Sequence, residues 1–160
     1  MLNITNLKKV LLVAFASVAL TACATQKKSG TTQLAGDVYT GTDTVEYLAN
    51  GVPDRVFFAT NKSSLTTRSR DTLRKQATYL RKNKDLTVTI EGHADERGTR
   101  EYNLALGERR ANAAKDYLMT YGVSGKRISV ISYGKEKPVN PASSPLAWSQ
   151  NRRSVTIKAN

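Results

Sequence analysis

The chain divides before any fold can be considered. Lys8 and Lys9 lead into an unbroken run of apolar and small residues from Val10 to Leu20, and the only cysteine of the 160-residue sequence, Cys23, follows three positions later. Eleven residues at a helical rise of about 1.5 Å cannot cross a hydrocarbon core of about 30 Å, so residues 1–22 read as a secretory signal, not a permanent transmembrane helix. What is left is enough for one domain with a proper core and too little for two of ordinary size. With a single thiol there is no intramolecular disulfide and no thiolate zinc site, so stability has to come from packing.

Leu20-Thr21-Ala22-Cys23 resembles the lipobox of bacterial lipoproteins. The resemblance implies that Cys23 is alkylated by a diacylglyceryl group and becomes the acylated first residue of the mature chain. The bland alternative is an ordinary signal that happens to end near a cysteine. Each buried methylene contributes about 0.8 kcal/mol, so several acyl chains would anchor the protein in effect permanently. Ala24, where an aspartate is absent, favours sorting to the outer membrane by the same resemblance. Export also decides how the charge is read. A net +12 with a pI near 10 would suggest nucleic acid in a cytoplasmic protein. Outside the cytoplasm no nucleic acid is expected. Loss of Lys8 and Lys9 lowers the charge only from +12 to +10, so anionic lipid headgroups and free peptidoglycan carboxylates are the partners to consider.

From Cys23 to residue 42 the sequence is rich in Thr, Gly, Gln, Lys and Ser without periodicity and reads as a flexible tether. A domain over 43–160 follows. The pattern predicts a short helix from an Asp43 cap to Asn50-Gly51 and a strand over Arg55 to Phe58. A helix is expected from Leu65 to Asn83, with Leu73, Ala77 and Leu80 on its inner face. Strands are expected from Leu86 to Ile90, Ile128 to Tyr133 and Ser154 to Lys158. A second long helix is predicted from Thr99 to Tyr121, ended by Gly122, and Ser144-Pro145 is a plausible start for a short helix carrying Trp148. The order strand, helix, strand, helix, strand, strand predicts an α+β two-layer sandwich: two main helices on one face of a four-stranded mixed sheet.

Polar groups concentrate in Glu91-Gly92-His93-Ala94-Asp95-Glu96-Arg97-Gly98-Thr99, between the second strand and the second helix. On that helix Leu106, Ala113 and Tyr117 share a stripe whose +4 position is Arg110, whereas Arg109 shares a side with Ala105, Asn112 and Asp116. A guanidinium buried alone costs several kcal/mol, so Arg110 must meet a carboxylate within the protein or line a pocket that a carboxylate enters. Asp95 is the nearest candidate. The residues leave two readings equally open: an internal Asp95–Arg110 ion pair, or a site in which the acid holds an ammonium and the arginine a carboxylate.

Residues 55–158 resemble the OmpA-like peptidoglycan-binding domain. The resemblance is carried by the segment at 91–99, by Glu-Tyr-Asn-Leu-Ala-Leu-Gly-Glu-Arg-Arg-Ala-Asn at 101–112, by Ser-Tyr-Gly-Lys-Glu-Lys-Pro at 132–138 and by Asn-Arg-Arg at 151–153. It implies non-covalent binding to the diaminopimelate of the stem peptide, with Asp95 taking the ammonium and Arg110 the carboxylate. The first-strand contacts fall on Phe58, Ala59, Thr60 and Asn61, the helix-start contact on Asn103, and Arg97 and Leu106 complete the expected set. Many relatives carry an aspartate at the position of Asn61, so the amide can hydrogen-bond there but supplies no charge. The resemblance further implies the strand order 1-4-2-3 and a periplasmic partner, TolB, whose surface overlaps the peptidoglycan site.

His93 is the only histidine, which leaves no metal set and no Ser-His-Asp or Cys-His set to assemble, and no cofactor motif is present. His93 is better read as a structural side chain hydrogen-bonded within the loop. Paired carboxylates among Glu91, Asp95 and Glu96 could in principle cleave a glycan, so a lipid-anchored peptidoglycan hydrolase is the alternative from another class. An OmpA-like lipoprotein outside the Tol system is the nearer one. The basic run Arg68, Arg70, Arg74, Lys75, Arg81 and Lys82 is most simply a solvated helix face, with contact to anionic headgroups the weaker reading.

Overall fold

A computed structural model describes residues 34–35 and 37–159. The expected signal, the Cys23 anchor and residues 24–33 of the expected tether lie outside them. No helix among the described residues is long and apolar enough to cross a membrane.

Four strands form the central sheet: β5 (Arg55–Phe57), β6 (Val88–His93), β7 (Ile128–Gly134) and β8 (Arg153–Lys158). Their order is β5-β8-β6-β7, which is the 1-4-2-3 arrangement. β8 runs antiparallel to both β5 and β6, while β6 and β7 are parallel. A parallel pair needs a crossover, and the long helix α2 (Arg100–Thr120) supplies it. Together with α1 (Thr67–Lys82) it covers one face of the sheet. Between the layers lie Val56, Phe58, Val88, Ile90 and Ile128 from the sheet side, packed against Leu73, Ala77 and Leu80 of α1 and Ala111, Ala114 and Leu118 of α2. The expected α+β sandwich is thus the observed one.

The caps follow the sequence. Thr66 and Thr99 each accept a backbone N–H of the first turn, from Ser69 and Tyr102. Ser144 does the same for Ala147 at the start of α3 (Pro145–Asn151), the short helix with Trp148. Gly122 takes the left-handed conformation just past α2, with φ of 81°.

Three expectations need correction. The segment after Asp43 is not helical: β3 (Tyr47–Ala49) and β4 (Val52–Pro53) form a hairpin. Asn50-Gly51 is its turn and not a helix end, with Gly51 at φ 71°, and Asp43 accepts a hydrogen bond from Gln150 across the fold instead of capping a helix. The boundary at 42/43 is also displaced. β1 (Leu34–Ala35) pairs with β2 (Val38–Tyr39), and the Tyr39 ring is fully buried 4.8 Å from that of Phe57, so ordered packing begins before Asp43. Finally, the expected stripe on α2 holds only in its first half: Leu106 and Arg110 are buried, as are Asn103 and Gly107 beside them, but farther along the buried line passes through Ala111, Ala114 and Leu118, while Ala113 and Tyr117 are only half-buried. The cause is a glycine contact that hydrophobic patterning ignores. A Cβ on Gly92 would stand 1.8 Å from the Gly107 carbonyl oxygen, so helix and strand meet backbone to backbone and the small residues must face inward.

Candidate functional site

The C-terminal end of β6, the start of α2, the loop after β5 and the start of β8 converge at one edge of the sheet. Arg110, on the inner side of α2, reaches this place and is completely buried. Among the described residues it meets no carboxylate. Its Nε donates to Lys62 O at 2.9 Å, Nη1 to His93 O at 2.8 Å and Nη2 to Ala59 O at 3.1 Å, and its guanidinium lies 5.4 Å from the Phe58 ring. Burial, and next Arg152, lower its pKa to about 10, so it stays cationic at neutral pH. The internal Asp95–Arg110 ion pair left open by the sequence is therefore absent.

Asp95 is nearly as deep, 7 % exposed, but its partners are other arginines. Oδ1 accepts from the backbone N and the Nε of Arg97, and Oδ2 from Arg97 Nη2 at 2.7 Å and Arg152 Nη1 at 3.3 Å. Desolvation by itself would raise the Asp95 pKa. The hydrogen bonds from the Arg97 side chain and backbone, with those from Arg152, outweigh it and hold the carboxyl below its ordinary value.

Of the remaining expected contacts, Phe58 and Leu106 are buried, so Phe58 presents only its backbone, and its carbonyl accepts from Arg152 Nε. Ala59 and Thr60 are half-buried. Asn61 is exposed at the loop apex with φ of 56°, a left-handed conformation that asparagine tolerates better than most residues. Asn103 is 2 % exposed and donates from Nδ2 to Arg97 O, closing the loop that carries Asp95. Arg97 is the solvent-facing member, with its side chain 42 % exposed.

Sequence reasoning missed four residues here. Arg152 bonds Asp95 and the Phe58 carbonyl at once and also meets Asp37, whose Oδ1 lies 2.8 Å from Nη2. Asn-Arg-Arg at 151–153 is among the segments that carry the resemblance, and an arginine able to pair with Asp95 is the signal available in it. Asp37 also accepts from the Thr60 backbone N–H, and nothing in the local sequence announces contacts that distant. Trp148 lies under Arg97, 4.4 Å from guanidinium carbon to ring centroid, and its Nε1 donates to Glu96 Oε1 at 2.8 Å. Glu96, read from sequence as loop charge, therefore ties the loop to α3.

His93 differs from its expected role. The ring is buried with neither nitrogen hydrogen-bonded among the described residues, and Glu91 Oε2 is 3.5 Å from Nε2. Burial, then the charges of Arg153, Lys137 and Arg55, push its pKa down to about 3. An unfolded histidine titrates near 6.5, so the unfolded state binds the proton first as pH falls. The stability lent by the neutral ring is complete above 6.5 and drains away between 6.5 and 3, at about 1.4 kcal/mol per pH unit. Urea unfolding at pH 7 and pH 4.5 should differ by roughly 2–3 kcal/mol, and a His93→Gln variant should lose most of that difference. An unchanged pH slope in the variant would mean that other groups carry it.

Residues 57–152 match the model of the OmpA family. The chain is 46% identical over 153 residues to the peptidoglycan-associated lipoprotein of Rhizobium meliloti, the match covering 92% of this chain and 86% of that one. It is 43% identical over 152 residues to the protein of the same name from Brucella melitensis, covering 92% and 90%. Among solved structures, the peptidoglycan-associated lipoprotein from Burkholderia pseudomallei superposes with a TM-score of 0.65 at 37% identity, over 66% of this chain and 90% of that one.

Proposed function

The chain belongs to the OmpA family, and on that premise we propose that it is an outer-membrane lipoprotein, a binding protein and not an enzyme, whose domain grips peptidoglycan non-covalently through the diaminopimelate of the stem peptide. The names of its relatives support peptidoglycan association and a lipid anchor, here at Cys23 after a signal over residues 1–22. The observation that carries the chemistry is Arg110: a buried cation bonded to three carbonyl oxygens and, among the described residues, to no carboxylate. Carbonyl dipoles satisfy its N–H groups but leave its charge uncompensated, so an incoming carboxylate is favoured beside it.

The free end of diaminopimelate carries an ammonium and a carboxylate on one carbon. Asp95 takes the first pole and Arg110 the second, with the Phe58–Asn61 loop on one side and Arg97, Asn103 and Leu106 on the other. Arg110 has no exposed surface in the ligand-free domain, so the carboxylate reaches it only once the Ala59–Lys62 loop lifts. A charge-assisted hydrogen bond contributes about 1.5–3 kcal/mol, which makes a single stem peptide a moderate ligand. Strength comes from many anchored copies facing a repeating lattice. The fourteen residues from Cys23 to Asp37 span at most about 50 Å, which limits how far from the membrane the domain can work.

Within the Tol-Pal system, in envelope integrity and cell division, TolB is the protein partner. It shares the 93–110 surface, so TolB and peptidoglycan exclude one another. Co-sedimentation of the purified protein with diaminopimelate-type sacculi tests the main reading. The protein should pellet with intact sacculi and stay in solution once the stem peptides have been removed. Pelleting that is indifferent to the stems would contradict the assignment, and release of soluble muropeptides would make the protein a hydrolase.

A further inference from the structure

A carboxylate offers about four lone-pair positions, and at Asp95 all four are taken by protein donors. An incoming ammonium therefore finds no acceptor at the acid pole unless one of the two arginines leaves. Arg152 cannot leave cheaply: its side chain is 2 % exposed and held by Phe58 O and Asp37 as well. Arg97 can. Its side chain is 42 % exposed, and apart from Asp95 it has one long hydrogen bond, 3.3 Å to Thr60 Oγ1, and the face of Trp148 on which to rest. Resting on the proposed ligand site, we infer that Arg97 is an internal stand-in for the ligand's ammonium, a specificity-determining residue that occupies Asp95 in the free protein and has to be displaced by what binds.

The displacement reaches the other pole too. Thr60 lies between Ala59 and Lys62, whose carbonyls cover Arg110, and the Arg97–Thr60 contact is one of the ties holding that loop down. Moving Arg97 thus frees the acid and loosens the cover over the base in one step. A ligand with only an ammonium must evict one cation to seat another, exchanging like for like. A ligand with both charges also compensates Arg110, and so recovers what the eviction costs. Arg97 on this account screens out simple amines.

Calorimetric titration tests this with the purified protein, Arg97→Gln and Arg97→Lys, using a stem tripeptide that ends in meso-diaminopimelate and the same tripeptide ending in lysine, which lacks the second carboxylate. An exposed bidentate pair suggests a tightening on the order of tenfold for Arg97→Gln toward the diaminopimelate peptide. The lysine peptide should gain at least as much, so discrimination narrows, and Arg97→Lys should fall between. Asp95→Asn serves as the reference for the site itself. If the unmodified protein binds and Arg97→Gln binds equally or more weakly, Arg97 is a direct contact or a bystander and the inference is overturned while the site stands. If Asp95→Asn binds as well as the unmodified protein, or if neither the unmodified protein nor any variant binds, the site assignment fails and takes the inference with it.

Discussion

Replacing Arg110 by methionine is expected to lower the unfolding free energy by about 3–5 kcal/mol and the melting temperature by roughly 10–20 °C. Methionine matches much of the volume, so the loss is not one of packing. It comes from three carbonyls, at Ala59, Lys62 and His93, that the guanidinium joins from the loop after β5 and the end of β6 and that are left without their donor when it goes. Lysine keeps the charge but cannot fork to three acceptors, and Arg110→Lys should recover only part of the stability. Chemical denaturation of the purified protein reads the effect directly. A loss below 1 kcal/mol would mean that the carbonyls find water and that Arg110 is not the fastener of this corner. The same geometry makes Arg110→Glu a poor probe of binding, because it aims a buried anion at three carbonyl oxygens and would unfold the site before testing it.

Asp95→Asn is the cleaner probe. The amide keeps the size of the side chain and removes the charge, so affinity for a diaminopimelate peptide should fall by about 100- to 1000-fold, the usual consequence of leaving a desolvated cation without its counter-charge. Stability should fall by only about 1–3 kcal/mol, since Arg152 retains Asp37 and Phe58 O and Arg97 can turn to solvent. Sedimentation with sacculi reports the first effect and thermal unfolding the second. A single cooperative transition together with lost binding is the expected pair of results, and undiminished binding would remove Asp95 from the site.

The elements that were legible in the sequence are those fixed by local signals. Thr99 before α2, Gly122 after it, Ser144-Pro145 before α3 and the alternation along β6 each specify structure within a few residues. What was not legible depends on partners far away in the chain. The Asn50-Gly51 turn reads equally well as a helix stop until Ala49 and Val52 are known to pair across it. Asp37 meets Arg152, 115 positions on, and no window contains both. The stripe shows the burial of Arg110 but not its partners: the sequence offers two kinds of carboxylate, whereas the structure uses main-chain oxygens of the loop after β5 and of the end of β6. His93 was expected to be structural, and hydrogen bonds were expected with it. The ring is instead packed beside Arg153 and Lys137 without a partner, a combination that only assembly of β6, β8 and the loop after β7 reveals.

The central claim is that this corner of the sheet recognises two opposite charges on one carbon, the acid at Asp95 and the base at Arg110. Titrating the purified protein with paired stem tripeptides, one ending in meso-diaminopimelate and the other in lysine, removes the ligand's second carboxylate and changes nothing else at that end. The account predicts that the diaminopimelate peptide binds at least tenfold more tightly, about 1.4 kcal/mol or more, and that Asp95→Asn weakens both peptides, since both carry the ammonium. Equal affinity for the two peptides would contradict it.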